Sequence, residues 1–149
     1  VVIAAPQALT QDRGNNITKT EALRIVTLEL EQKQQGMILI LHQMRYYQEH
    51  FELHYLWIRA PFHAGFAFVP RLIFLLQDTT GYQWLGDRGG MILARPELAS
   101  GPNHAVYQGH ARFRPLPSPE ARALTIQAVD PLSQFETPMP QPWLFTIQL

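Results

Sequence analysis

The stretch His50-Phe51-Glu52-Leu53-His54 sets two imidazoles on either side of a carboxylate. Zinc peptidases place two imidazoles one helical turn apart so that both reach one ion, while a nearby glutamate activates water. Here the Glu stands midway between the His residues, which matches neither that order nor its reverse. On a strand, His50 and His54 stand about 13 Å apart by strand rise, beyond the reach of one ion. The segment therefore predicts no metal site. His50 and His54 are a runner-up ligand pair only if a helix runs through them, and otherwise are edge or surface histidines. His42, His63, His104 and His110 are scattered. A cross-strand pair such as His54 with His110 could bind a metal in principle, but nothing in the spacing selects it.

Other chemistry is poorly represented. A glycosidase needs two carboxylates across a cleft, and Glu49, Glu52, Asp78 and Asp87 are the candidates. Asp78 has a better use as the side chain that bonds the backbone of its own turn, and Asp87 reads as a solvated turn residue. Ser100, Ser118 and Ser133 lie in Pro/Gly-rich loops, and none sits in a Gly-x-Ser-x-Gly elbow. Gly86-Asp87-Arg88-Gly89-Gly90 lacks the Gly-Lys-Ser/Thr of a phosphate loop and reads as a flexible hairpin connection. There is no cysteine, hence no thiol nucleophile, thiolate site or disulfide. No catalytic residue and no cofactor is expected. Tyr46, Tyr47, Tyr82 and Trp84 would stack on a sugar ring if exposed on one face, with Tyr47, Tyr82 and Trp84 the best ligand-binding candidates. Tyr55, Trp57, Phe113, Trp143 and Phe145 read as core. Asn16-Ile17-Thr18 is a glycosylation sequon that matters only in a eukaryotic secretory pathway.

Composition bounds the class. The chain has 149 residues, 46% hydrophobic and 16% charged, with twelve basic and twelve acidic side chains. That is one folded domain with no overall basic field for nucleic acid. Arg112 and Arg114 make at most a small local patch. The apolar run from Val69 to Leu76 is broken by Pro70 and Arg71, so no segment inserts directly into a membrane. The apolar opening Val1–Pro6 reads as a ragged end, with the tail of an upstream apolar segment as the alternative.

The elements follow from periodicity. Residues 1–22 read as a lead-in, with a capping-box pattern at Thr18–Glu21 good for one helical turn. Residues 23–149 read as a single β-sandwich domain. Val26, Leu28 and Leu30 alternate with Thr27, Glu29 and Glu31, as in a half-buried strand. Met37–Tyr47 and the Phe51, Leu53, Tyr55, Trp57 series predict two further strands joined near Gln48-Glu49-His50. One helix through Met37–Ile58 is the alternative, because no Gly or Pro interrupts that stretch. Leu72–Gln77 is a strand closed by Asp78-Thr79-Thr80-Gly81. Tyr82–Leu85, Met91–Ala94, Ala105–Phe113, Leu124–Ala128 and Trp143–Leu149 complete the set, with Pro-rich loops at 96–103, 115–119 and 131–142. Gln108, His110, Arg112 and Arg114 face away from the apolar stripe of their strand. The expectation is an immunoglobulin-like antiparallel β-sandwich of about seven or eight strands.

Gly36–Ile40 with Tyr55–Ile58, then Leu75–Tyr82, then Phe113–Leu116 with Ala123–Ile126 and the terminal Trp143 and Phe145, resemble a family of bacterial immunoglobulin-like ectodomains of unknown function. These occur C-terminally in anti-sigma-factor-like membrane proteins and in exported lipoproteins. The resemblance covers roughly Arg24–Leu149. It implies an extracytoplasmic, non-enzymatic interaction or sensing module that meets a protein partner through loops or edge strands. A carbohydrate-binding module built on exposed aromatics is one alternative, and a metal-dependent enzyme using His50 and His54 is another.

Overall fold

A computed structural model describes residues 21–60, 72–93, 104–130 and 142–149, with the backbone alone for 87–93. The capping box apart from Glu21, the sequon, His63, Ser100, Ser133, the loop at 96–103 and residues 131–141 of the last loop lie outside the described residues.

The described chain is all-β and antiparallel. Nine strands are present, β1 (Arg24–Gln34), β2 (Met37–Tyr46), β3 (Phe51–Arg59), β4 (Ile73–Asp78), β5 (Gln83–Leu85), β6 (Asp87–Leu93), β7 (Ala105–Phe113), β8 (Ala123–Val129) and β9 (Trp143–Gln148). They form a five-stranded sheet in the order β1-β2-β3-β7-β6 and a four-stranded sheet in the order β5-β4-β8-β9. The Met37–Ile58 stretch is two paired strands, not a helix, with its turn at Tyr47–His50 closed by the Tyr47 N–H on the His50 carbonyl at 2.8 Å. The Gly86–Gly90 loop expectation is corrected, because β6 begins at Asp87. Pairing with β7, interrupted by a bulge between Arg88 and Met91, makes this segment a strand despite its glycines.

Alternation explains how the sheets close on each other. Phe51, Leu53, Tyr55 and Trp57 of β3 point inward with Phe113 of β7, and Phe74, Leu76, Leu124, Ile126, Trp143 and Phe145 face them from the other sheet. Phe51 meets Trp84 edge-on at 5.6 Å and Tyr55 meets Phe74 at 5.1 Å, so aromatic pairs join the layers. At one end Arg59 lies over the Trp57 ring and reaches the buried Asp130 carboxylate at 3.3 Å. Asp78 works in its turn as its position suggests. Its Oδ1 accepts from the Thr80 N–H, the Thr80 hydroxyl and the Tyr82 N–H, and Gly81 supplies φ 95°. These bonds, the Thr80 hydroxyl first, hold its carboxyl below the usual range.

Each sheet edge carries a feature that disfavours an added strand. β1 is bulged between Thr27 and Leu30 and bears Glu29, Glu31 and Lys33. β6 is bulged, and β5 is only three residues long. Along β9, the Gln32 carboxamide bonds both the N–H and the carbonyl of Leu144, and Gln34 donates to the Pro142 carbonyl at 3.1 Å.

Candidate functional site

Outward-pointing residues of β2, β3 and β7 assemble the one concentration of titratable side chains found among the described residues. Register builds it as two rows across three strands. One row is Arg45–Glu52–Arg112, and the next is Gln43–His54–His110. Glu52 and His54 share a face because strand side chains alternate with period two. A bulge between Leu41 and Gln43 fits one extra residue into β2. It brings His42 beside His54, with ring centroids 6.4 Å apart and edge to face. His54 and His110 are direct cross-strand partners and stack at 5.1 Å with planes 17° apart.

Glu52 is the hub. Its Oε1 lies 2.9 Å from His54 Nε2 and accepts from the Tyr47 hydroxyl at 3.3 Å. Its Oε2 lies 3.6 Å from His50 Nε2 and 3.8 Å from Arg112 Nε. Tyr47 stacks on His50 at 4.5 Å, which holds the turn over the carboxylate. The cluster is shallow but shielded, since the Glu52 side chain is only 10% exposed.

Electrostatics follow from this crowding. Burial pushes the Glu52 carboxyl up, but the His54 hydrogen bond and the charges of His110, His54 and His50 outweigh it and hold it at about 2. Burial lowers His42, and the charges at His54 and Arg45 act the same way. Burial also lowers His110. The Glu52 carboxylate opposes that shift, while His54, Arg112 and Arg45 reinforce it. Burial and the neighbouring Glu52 charge raise the Tyr47 phenol. The Nε2 of His42 is buried without a hydrogen-bond partner among the described residues, which leaves that imidazole poorly compensated in its neutral form as well.

The sequence candidates are distributed unevenly. His50 and His54 both address Glu52, so the carboxylate stands between them where the runner-up metal pair would need an ion. With β3 a strand, the helical zinc-peptidase geometry is absent. Among the described residues no three ligand-type side chains converge as a metal group. The stacked His54–His110 rings lie parallel rather than aimed at a common point. Tyr47, Tyr82 and Trp84 do not form one flat platform. Trp84 is 3% exposed and donates its indole N–H to the Pro115 carbonyl, Tyr82 packs edge-on against it, and Tyr47 belongs to the Glu52 cluster on the other sheet. The Ser118 hydroxyl donates to Glu120 in a loop. Arg112 is drawn to Glu52, which removes it from any basic patch with Arg114. Gln32, Arg59 and Asp130 went unread in the sequence, because each acquires its partner from a distant part of the chain. Arg45, which bonds Gln43 on its own strand at 2.8 Å, joins the cluster only through its register with Glu52.

Each imidazole that protonates adds charge beside Arg45 and Arg112, with one carboxylate to balance them. Among the described residues no helix is long and apolar enough to cross a membrane. No family model, no curated protein and no solved structure matches this chain.

Proposed function

We propose that the domain is a non-catalytic, extracytoplasmic interaction or sensing module, and that the outer face of its five-stranded sheet is the part that responds, to acidification. Two imidazoles on one carboxylate, His50 and His54 against Glu52, with His42 and His110 packed on His54, carry this reading. Imidazole is the side chain whose ordinary titration falls between pH 5 and 8. The extracytoplasmic placement rests on the resemblance of the Gly36–Ile40, Leu75–Tyr82 and Phe113–Ile126 segments to exported ectodomains.

The titratable and charged groups of the cluster come from β2, β3, β7 and one turn. β2 supplies His42 and Arg45, the following turn Tyr47 and His50, β3 Glu52 and His54, and β7 His110 and Arg112. Asp87 of β6 stands in register opposite Arg112. β1 places Ile25 and Thr27 opposite Arg45 and Gln43, with Glu29 next along it. At neutral pH the Glu52 charge is offset by Arg112. Under acid the added imidazolium charges exceed what Glu52 balances, and repulsion reshapes this face.

The test is an amide and imidazole NMR titration of the whole chain from pH 7.5 to 5. Shifts concentrated at residues 42–54 and 108–112, and largely removed in a His42→Asn/His110→Asn variant, are expected. A spectrum that changes uniformly, or not at all, over that range would sink the reading.

A further inference from the structure

The opposite outer face has a different character. On the four-stranded sheet, one row across the strands reads Leu85–Leu75–Gln127–Leu144 and the next Gln83–Gln77–Thr125–Thr146. No outward position of β4, β5, β8 or β9 is charged, although the chain holds 24 charged residues among its 149. Leu85 is 71% exposed, Leu144 52% and Leu75 40%. Leucines set in a row across a sheet face with no charge among them are what an association surface presents, not what a solvated face needs.

We infer that the outer face of the four-stranded sheet docks against the same face of a second copy of this chain. Three observations select that occupant. First, the face is self-complementary. Carboxamides and hydroxyls each donate and accept, as Gln83 Nε2 already does to Gln77 Oε1 at 3.3 Å, so the polar row can bond to its own copy. The leucine row meets leucines under a two-fold axis. Second, bringing two copies together sets no charge against its like, and the balanced net charge removes long-range repulsion. Third, the edges of this sheet are short or partly occupied. β5 is too short to template a strand, and the backbone of β9 at Leu144 is already bonded by Gln32. Association therefore goes through the face.

The size of the face sets the strength. Four strands about 4.8 Å apart span roughly 15 Å, which puts the buried area at the small end for specific pairs. The dimer is weak and reversible, and high salt does not dissolve it, because no ion pair holds it.

Sedimentation velocity of the whole chain, from about 10 μM to about 1 mM, tests this. A weight-average sedimentation coefficient that climbs toward the dimer value, unchanged or enhanced in high salt, is expected. Leu75→Asp/Leu144→Asp should stay monomeric throughout. Both sites are exposed, so thermal unfolding should match the parent, and Leu85→Lys alone provides a second variant if the double one folds poorly. A parent chain that is monomeric at every concentration overturns the inference. So does a dimer that survives these substitutions, or one that salt disperses.

Discussion

The carboxamide of Gln32 and the backbone of Leu144 bond each other twice, the amide group donating to the carbonyl and its oxygen accepting from the N–H at 3.2 Å. A side chain from β1 thereby occupies the edge of β9, although the two strands belong to different sheets. These are the two hydrogen bonds that one antiparallel residue pair exchanges, here supplied by a side chain, and they tie the layers together.

Gln32→Ala removes both bonds and leaves the Leu144 amide to water. A loss of about 1–2 kcal/mol in urea unfolding is expected. Hydrogen exchange should show the Leu144 amide accelerated well beyond its neighbours in β9. Unchanged protection at Leu144 would mean that the carboxamide does not hold the edge.

Gly86 joins β5 of one sheet to β6 of the other. A Cβ there would stand 2.8 Å from the Phe113 ring, itself buried against Phe51. The Gly86 N–H also bonds the Phe74 carbonyl at 2.9 Å, so the backbone cannot easily retreat. Gly86→Ala should cost about 1–3 kcal/mol by overpacking, measured by thermal and urea unfolding. Tolerance of alanine there would show that Phe113 can move.

The β1–β2 hairpin turns on Gln35 and Gly36, at φ 48° and 78°. Two positive φ values in a two-residue loop suit Asn-Gly far better than Gln-Gly. Gln35→Asn should stabilise the domain by about 0.5 kcal/mol. A destabilised variant would mean that Gln35 does more than turn the chain.

Acid should weaken the domain in two stages. His42 and His110 titrate lower in the folded state than the ordinary 6.5. Folding favours their neutral forms, so their contribution is whole above pH 6.5 and falls as pH drops below it. Glu52 titrates at about 2 when folded against 4.5 in the unfolded chain, so its contribution is whole above 4.5 and vanishes toward pH 2. Allowing for solvent screening, the second stage amounts to about 1–2 kcal/mol. Denaturation followed from pH 7.5 to 2 should show both declines. His42→Asn/His110→Asn should flatten the first and Glu52→Gln the second. A stability profile flat between pH 7 and 5 would contradict the cluster's charge balance.

Much of this was legible before any coordinates. Alternation in Phe51–Trp57 and Ala105–Phe113 assigned inward and outward faces correctly, including Glu52, His54, His110 and Arg112 on the outward side. The Asp78 turn was readable because its bonds lie within four residues. The helical alternative for Met37–Ile58 was not decidable, since the same apolar residues fit both periods. Only pairing of β2 with β3 chooses between them. β6 was missed at its start because glycines and charges carry no alternation. Trp84 looked available for a ligand but is core, since its exposure depends on Phe51 and Pro115 far along the chain.

What the residues determined by themselves is local, namely which side of each strand is apolar, where turns fall, and that no thiol or Ser elbow exists. Bringing Glu52 within reach of Arg112, setting His54 on His110 and placing His42 beside His54 were decided only by register and by the β2 bulge. A period of two fixes the side a residue faces, but its neighbours across the strands depend on how far each strand slides before its inward half packs.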